Sequence, residues 1–139
     1  MILTDTGFWL ALFNKRDKHH QSAITFMTSN HEELITTWPV MTETCYMLGR
    51  ELGVQSQIKF LQLIQSNLVS IATIGNNDLN RIEQLILKYA DLPMDLADSS
   101  LVILAEALGH GRILSTDQRD FRTYRWKNHQ PFENLLLPE

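Results

Sequence analysis

Short runs of β-branched and aliphatic residues alternate with longer amphipathic stretches along the whole chain, and this alternation restricts the fold more than any other feature. Residues 1–4, 34–37, 68–74 and 112–115 read as buried strands, with a weaker fifth strand expected over 123–126. Between them the apolar period lengthens to that of a helix. Val40, Met41, Thr44, Cys45, Leu48 and Leu52 share one helical face, and Pro39 is suited to the first position of that helix. Ile82, Leu85, Ile86 and Tyr89 repeat the pattern behind the capping candidates Asn76 and Asn77. Leu101, Leu104, Ala105 and Leu108 repeat it again before Gly109, which is placed to end the helix. Residues 21–29 and 55–64 are expected to be helical as well. Strands separated by helices demand crossover connections, so the predicted class is α/β: a central parallel sheet of about five strands in a three-layer α/β/α arrangement.

The chain has 139 residues, enough to bury roughly 70% of its unfolded surface around one core, so a single domain over 1–139 is expected. Its longest apolar run, from Gly7 to Phe13, is far shorter than the roughly 20 residues of a spanning helix. Asp5 stands where a signal peptide would carry positive charge. One cysteine, Cys45, permits no internal disulfide, and its neighbours Thr44 and Tyr46 offer nothing to stabilise a thiolate. A cytoplasmic protein with no membrane partner is the expectation. Twelve Lys and Arg against sixteen Asp and Glu give a net charge of −4, the wrong sign for a module that grips nucleic acid mainly through counterion release. It does not count against a nuclease whose surplus carboxylates hold divalent cations, because four metal-bound acids would bring the balance to about zero. Composition thus allows both an acidic enzyme and an ordinary globular domain.

The position of each acid relative to the sheet is informative. Asp5 follows the first strand at its carboxyl end, and Asp117 stands just beyond the fourth. Glu43 is expected in the first turn of the helix leaving the second strand. Asp98 begins a helix running back toward the fourth strand, with Leu101, Val102 and Ala105 at i+3, i+4 and i+7, so its carboxylate faces inward. All four acids can meet at the carboxyl edge of the strands, where open α/β sheets place ligand sites. Several carboxylates gathered there would repel one another unless a cation offset them.

Each acid also has an ordinary structural role open to it. Acids are favoured in the first turn of a helix, Asp95 is placed as the N-cap of the helix carrying Asp98, Asp117 can cap a turn, and Glu43 can be a solvated helix residue. Their shared edge, not any single position, carries the metal reading. Asp5-Thr6-Gly7 matches the aspartic-protease triplet, but that fold is all-β and a helical run follows here. A haloacid-dehalogenase-like phosphatase would need a second Asp where Gly7 stands. His19-His20 lacks a third ligand and reads as a polar helix start.

Four segments, taken in order, resemble the PIN-domain toxins of bacterial VapBC-type toxin–antitoxin pairs. They are Leu3-Thr4-Asp5-Thr6, Thr36-Thr37-Trp38-Pro39-Val40-Met41-Thr42-Glu43, Leu92-Pro93-Met94-Asp95-Leu96-Ala97-Asp98, and the stretch from Ile113 to Phe121 that contains Ser115, Asp117 and Asp120. The resemblance spans nearly the whole chain. It implies a five-stranded parallel sheet, a site of four acids for Mg²⁺ or Mn²⁺, cleavage of structured RNA, a homodimer and inhibition by a small antitoxin protein. Asp5, Glu43, Asp98 and Asp117 take its acidic positions, Ser115 that of a hydroxyl residue orienting the site, and Asp95 and Asp120 those of auxiliaries. Gly7 stands where Ser is common after Asp-Thr, and Ser99 where Ala is usual; neither removes a ligand.

On this reading Asp5 and Asp98 are the primary metal ligands, with Glu43 and Asp117 ligating directly or through water. Arg50, Arg119 and Arg122 are candidates for RNA phosphate contacts. Phe8, Trp9, Phe13, Phe26 and Met27 exceed what one small core readily covers and are assigned to a dimer interface. Two alternatives stay open: a PIN-like module that binds RNA or protein without cutting, and a metal-dependent phosphatase.

Overall fold

The computed structural model describes residues 1–138. Its main sheet is parallel throughout. The strands β1 (Ile2–Thr4), β2 (Leu34–Thr37), β3 (Val69–Ala72), β4 (Arg112–Leu114) and β7 (Glu133–Asn134) stand in the order β3-β2-β1-β4-β7. Helices α1 (Thr6–Phe13), α2 (His20–Ser29), α3 (Trp38–Leu52), α4 (Val54–Gln65), α5 (Leu79–Lys88), α6 (Leu96–Leu108) and α7 (Gln118–Thr123) flank it in the expected three-layer architecture.

The predicted fifth strand is displaced. Arg125–Trp126 forms β5, which pairs antiparallel with β6 (Gln130–Pro131) in a separate ribbon, and β7 closes the main sheet instead. A two-residue strand has no alternation to read, so only its pairing with β4 reveals it. Asn76 and Asn77 lie in a 3₁₀ turn and make no capping bond. Asp78 there accepts from the Gly75 amide at 3.0 Å, and α5 begins one residue later. The third helix starts at Trp38, with Pro39 in its first turn and Thr37 as the cap, so Glu43 sits in the second turn rather than the first.

Burial follows the apolar periods. In α6, Leu101, Val102 and Ala105 are fully buried beneath the sheet, and Gly109 ends the helix in the left-handed conformation, at φ 78°. Threonine hydroxyls buried in the strands are satisfied across the sheet: Thr4 donates to the Ile35 carbonyl at 3.0 Å and Thr36 to the Thr4 carbonyl at 3.2 Å. The Thr37 and Ser100 hydroxyls meet at 2.6 Å, tying the start of α3 to α6.

The assignment of the early aromatic residues to a dimer interface needs correction. Phe8 and Trp9 are fully buried within the chain. Trp9 packs on Phe60 with ring centroids 5.5 Å apart, and Phe13 meets the same ring edge-on at 5.9 Å. Helix α4 therefore covers the surface that looked surplus, and Phe26 and Met27 are partly buried against the same core. Among the described residues no helix is long and apolar enough to cross a membrane.

Candidate active site

The register of β1 on β4 builds the centre of the site. Leu3 pairs with Ile113 and Thr4 with Leu114, and the Asp5 amide extends the ladder to the Leu114 carbonyl at 3.1 Å. The next residues beyond these pairs, Asp5 and Ser115, are thereby set side by side. Ser115 Oγ donates to Asp5 Oδ2 at 3.0 Å and accepts from the Asp117 amide at 3.0 Å. Ser115, expected to orient the site, thus bonds one acid through its carboxylate and another through its backbone amide.

Three of the acids also cap the helices they precede. Asp5 Oδ1 accepts from the Thr6 amide at 2.7 Å, Asp95 from the Asp98 amide at 2.8 Å and Asp117 from the Asp120 amide at 3.1 Å. Capping and gathering coincide because every helix involved starts at the carboxyl edge of the sheet.

Asp5, Glu43, Asp95, Asp98, Asp117 and Asp120 all line one open pocket of about 330 Å³, together with Thr6, Gly7, Leu10, Met47, Pro93 and Thr116. Ser115 stands buried behind it. Asp95 and Asp120, expected as auxiliaries, are both on the pocket wall. Arg50, Arg119 and Arg122 do not line it. Arg50 lies over the Tyr46 ring, and Arg119 reaches Asp120 only from the outside, at 3.3 Å. Among the described residues no three or more His, Cys, Asp or Glu side chains form a ready-made metal-holding group. The acids share a pocket without being drawn into a closed coordination shell.

Their electrostatics reflect the crowding. Burial raises the Asp5 carboxyl to about 7, against the hydrogen bonds from Thr6 and Ser115 that favour its ionised form, with Glu43 and Asp117 adding repulsion. Burial, then repulsion from Asp5, Asp95 and Asp120, raises Asp98 to about 8. Asp120 rises to about 6 through burial and its neighbour Asp117. Glu43 is also raised, by burial first, with Asp95 contributing. The buried Thr6 hydroxyl has no partner in strict hydrogen-bonding geometry, yet it faces Glu43 closely enough to favour the ionised carboxylate. By contrast, burial pushes the Cys45 thiol up, away from reactivity.

Two supporting residues were not legible beforehand. Asn134 donates to the Ser115 carbonyl at 2.8 Å, while its Oδ1 accepts from the Ser115 amide at 3.3 Å and the Leu136 amide at 3.1 Å. It fixes the strand that fixes Asp5 and Asp117. Tyr124, fully buried, brings its hydroxyl to 3.4 Å from both Asp98 Oδ2 and the Pro93 carbonyl. Burial and the nearby acids raise its phenol, so it remains a donor. Neither residue has a local sequence signal, since each acts through partners distant in the chain.

A three-layer domain with a parallel sheet and a carboxylate-lined pocket at its strand ends is an α/β fold with its candidate site where open α/β sheets bind ligands. The PIN domain family matches the chain over residues 2–127, and the protein belongs to that family. Ribonuclease VapC26 of Mycobacterium tuberculosis is 24% identical over 124 residues, covering 89% of this chain and 92% of the relative. Among solved structures, the chain is similar to Mycobacterium tuberculosis VapC20, described as a sarcin–ricin loop cleaving toxin. That similarity has a TM-score of 0.79 at 19% identity, covers 86% of this chain and 92% of the other, and supports the shared fold.

Proposed function

We propose that this protein is an endoribonuclease dependent on Mg²⁺ or Mn²⁺ and acts as the toxin of a toxin–antitoxin pair. The observation that carries this reading is the gathering of six carboxylates on one pocket at the carboxyl edge of the sheet. RNA as substrate is supported by the relatives, one named a ribonuclease and the other a toxin that cleaves the sarcin–ricin loop. A small antitoxin protein is the proposed partner, because a nuclease directed at cellular RNA needs restraint in its own host.

The donor set fits a hard divalent cation. Every acidic ligand offered by the pocket is a carboxylate oxygen, and neither Cys nor His lines it. The raised Asp5 and Asp98 carboxyls fit as well, since nearby positive charge would favour the ionised forms that burial disfavours. A bound ion of this kind supplies an acidified water and neutralises charge developing on the attacked phosphate. Asp5 and Asp98 would hold it, with Glu43 and Asp117 ligating directly or through water. Ser115 and Asn134 keep Asp5 and Asp117 in place, and Tyr124 steadies Asp98. Leu10, Met47 and Pro93 supply the apolar part of the pocket wall.

Purified protein free of any antitoxin is expected to cleave RNA with Mg²⁺ or Mn²⁺ and to stop in EDTA. Undiminished cleavage in EDTA would remove metal dependence. Hydrolysis of p-nitrophenyl phosphate without cleavage of RNA would make the protein a phosphomonoesterase.

A further inference from the structure

Gly7 occupies the first turn of α1, where its backbone conformation is one that any residue can adopt: the glycines with positive φ are Gly53 and Gly109. A glycine within a helix costs about 1 kcal/mol relative to alanine, so conformational need does not account for it. Space does. A Cβ on residue 7 would stand 2.0 Å from Thr116 Oγ1 and 3.2 Å from Thr116 Cβ. The absent side chain at Gly7 is what admits Thr116 to the pocket in its present rotamer.

The hydroxyl admitted there is uncommitted. Ser115, its neighbour, spends its own hydroxyl on Asp5 and on the Asp117 amide. The Thr6 hydroxyl is buried and faces Glu43. Thr116 lines the same pocket, half-buried, and its hydroxyl has no hydrogen-bond partner among the described residues. Carboxylates ionised around a bound cation only accept hydrogen bonds, whereas a phosphodiester entering the pocket presents further acceptors and needs donors.

We propose that Thr116 is a substrate-contacting residue whose hydroxyl, held in the space left by Gly7, donates to a non-bridging phosphate oxygen of bound RNA. This rests on the ribonuclease reading above. The contact exists in the bound ground state and persists as the phosphate reacts, so its loss weakens binding without slowing the bound complex.

The test compares wild type, Thr116→Val, Thr116→Ser, Gly7→Ala and the Gly7→Ala/Thr116→Val double variant in steady-state cleavage of one RNA oligonucleotide with Mn²⁺, alongside thermal melts. Thr116→Val is expected to raise KM about tenfold, the scale of one hydrogen bond, with kcat changed by less than about twofold. Thr116→Ser recovers most of that loss. Gly7→Ala produces a similar rise in KM by turning the Thr116 side chain away, and the double variant is no worse than either single one. If Gly7→Ala fails to fold, the Val and Ser pair at Thr116 decides alone. A wild-type KM in Thr116→Val, or losses at the two positions that multiply, overturns the proposal while leaving the ribonuclease reading intact. A wild-type protein that cuts no RNA overturns both.

Discussion

The Ser115 hydroxyl holds the Asp5 carboxylate at 3.0 Å across 110 residues of chain, and the same oxygen receives the Asp117 amide. One small side chain therefore couples the acid after β1 to the acid after β4. Its position follows from the strand register, since Leu3 and Ile113 pair in the sheet just below it.

Replacing Ser115 by Ala should remove a hydrogen bond that favours ionised Asp5 and leave the Asp117 amide without its partner. The expected cost is about 1–3 kcal/mol of stability, with a loss of cleavage larger than the change in stability accounts for. Paired thermal melts and cleavage rates at fixed Mn²⁺ test this; unchanged cleavage would show that Asp5 keeps its place without Ser115.

Stability of the metal-free protein should fall as pH rises through neutrality. Asp5 and Asp98 have folded values near 7 and 8, above their ordinary value of 3.8, so the folded state binds more protons than the unfolded one across that interval. Their contribution is fully present below about pH 4 and is lost as pH rises through 7 to 8. Glu32 and Glu106 are shifted downward and act oppositely only in the acid range below their ordinary value of 4.5. His110, lowered from 6.5 by burial first, also opposes the trend just below neutrality, as one group against two. Melts in EDTA should thus give a higher Tm at pH 5.5 than at pH 8, and Asp98→Asn should flatten that slope. A flat wild-type profile between these pH values would contradict the crowding of the acids.

Metal should reverse the penalty. Wild type should gain about 2.7 kcal/mol when free Mn²⁺ reaches about one hundred times its dissociation constant, because only the folded chain assembles the ligands. Asp98→Asn should melt higher than wild type in EDTA and shift little with Mn²⁺. Asp95→Asn keeps the N-cap to the Asp98 amide, and its Tm in EDTA should not fall. If Asp98→Asn melts lower in EDTA yet retains the full metal shift, Asp98 is a structural helix acid.

Away from the pocket, Arg81 grips Glu106 with two hydrogen bonds, at 3.0 and 2.8 Å, and so joins α5 to α6. Glu106 also accepts from the Lys127 amide at the turn where Lys127 and Asn128 adopt positive φ. Glu106→Gln should destabilise the fold by about 1–3 kcal/mol, moderated by partial exposure, and leave KM for RNA unchanged. Urea unfolding with a parallel cleavage assay separates the two effects. An altered KM would connect this clamp to the pocket.

With Phe8 and Trp9 buried, a homodimer would have to use other surfaces. Val54, Ile58 and Leu61 stand at i, i+4 and i+7 on α4 and are 65%, 43% and 37% exposed, an apolar stripe turned outward. Light scattering at tens of micromolar should give the dimer mass for wild type and the monomer mass for Ile58→Glu. A monomeric wild type would leave this stripe without a partner copy.

The elements read most clearly from sequence were those with a sustained local period. The residues of β2 fall where expected, and α6 buries Leu101, Val102 and Ala105 beneath its capping Asp95. The site was legible to the extent that acids after strands and at helix starts must fall on one sheet edge, and Asp5, Asp98 and Asp117 do so. Glu43 was read in the first turn of its helix and lies in the second, because it is the sixth residue of a helix that begins at Trp38. The burial of Asp120, the donor at Tyr124 and the clamp at Asn134 were not legible, because each depends on neighbours far away in the chain.

By itself the sequence determined the alternation of strand and helix, and with it a parallel sheet carrying acids at its carboxyl edge, because period, capping and chain direction are local properties. Tertiary structure decided the pairing of β1 with β4 that sets Asp5 against Ser115, the closing of the sheet by the two residues of β7, and the space at Gly7 that Thr116 enters. These are relations between segments far apart in the chain. They depend on packing and hydrogen bonds formed when the segments meet, and such contacts leave no repeating pattern along either segment alone.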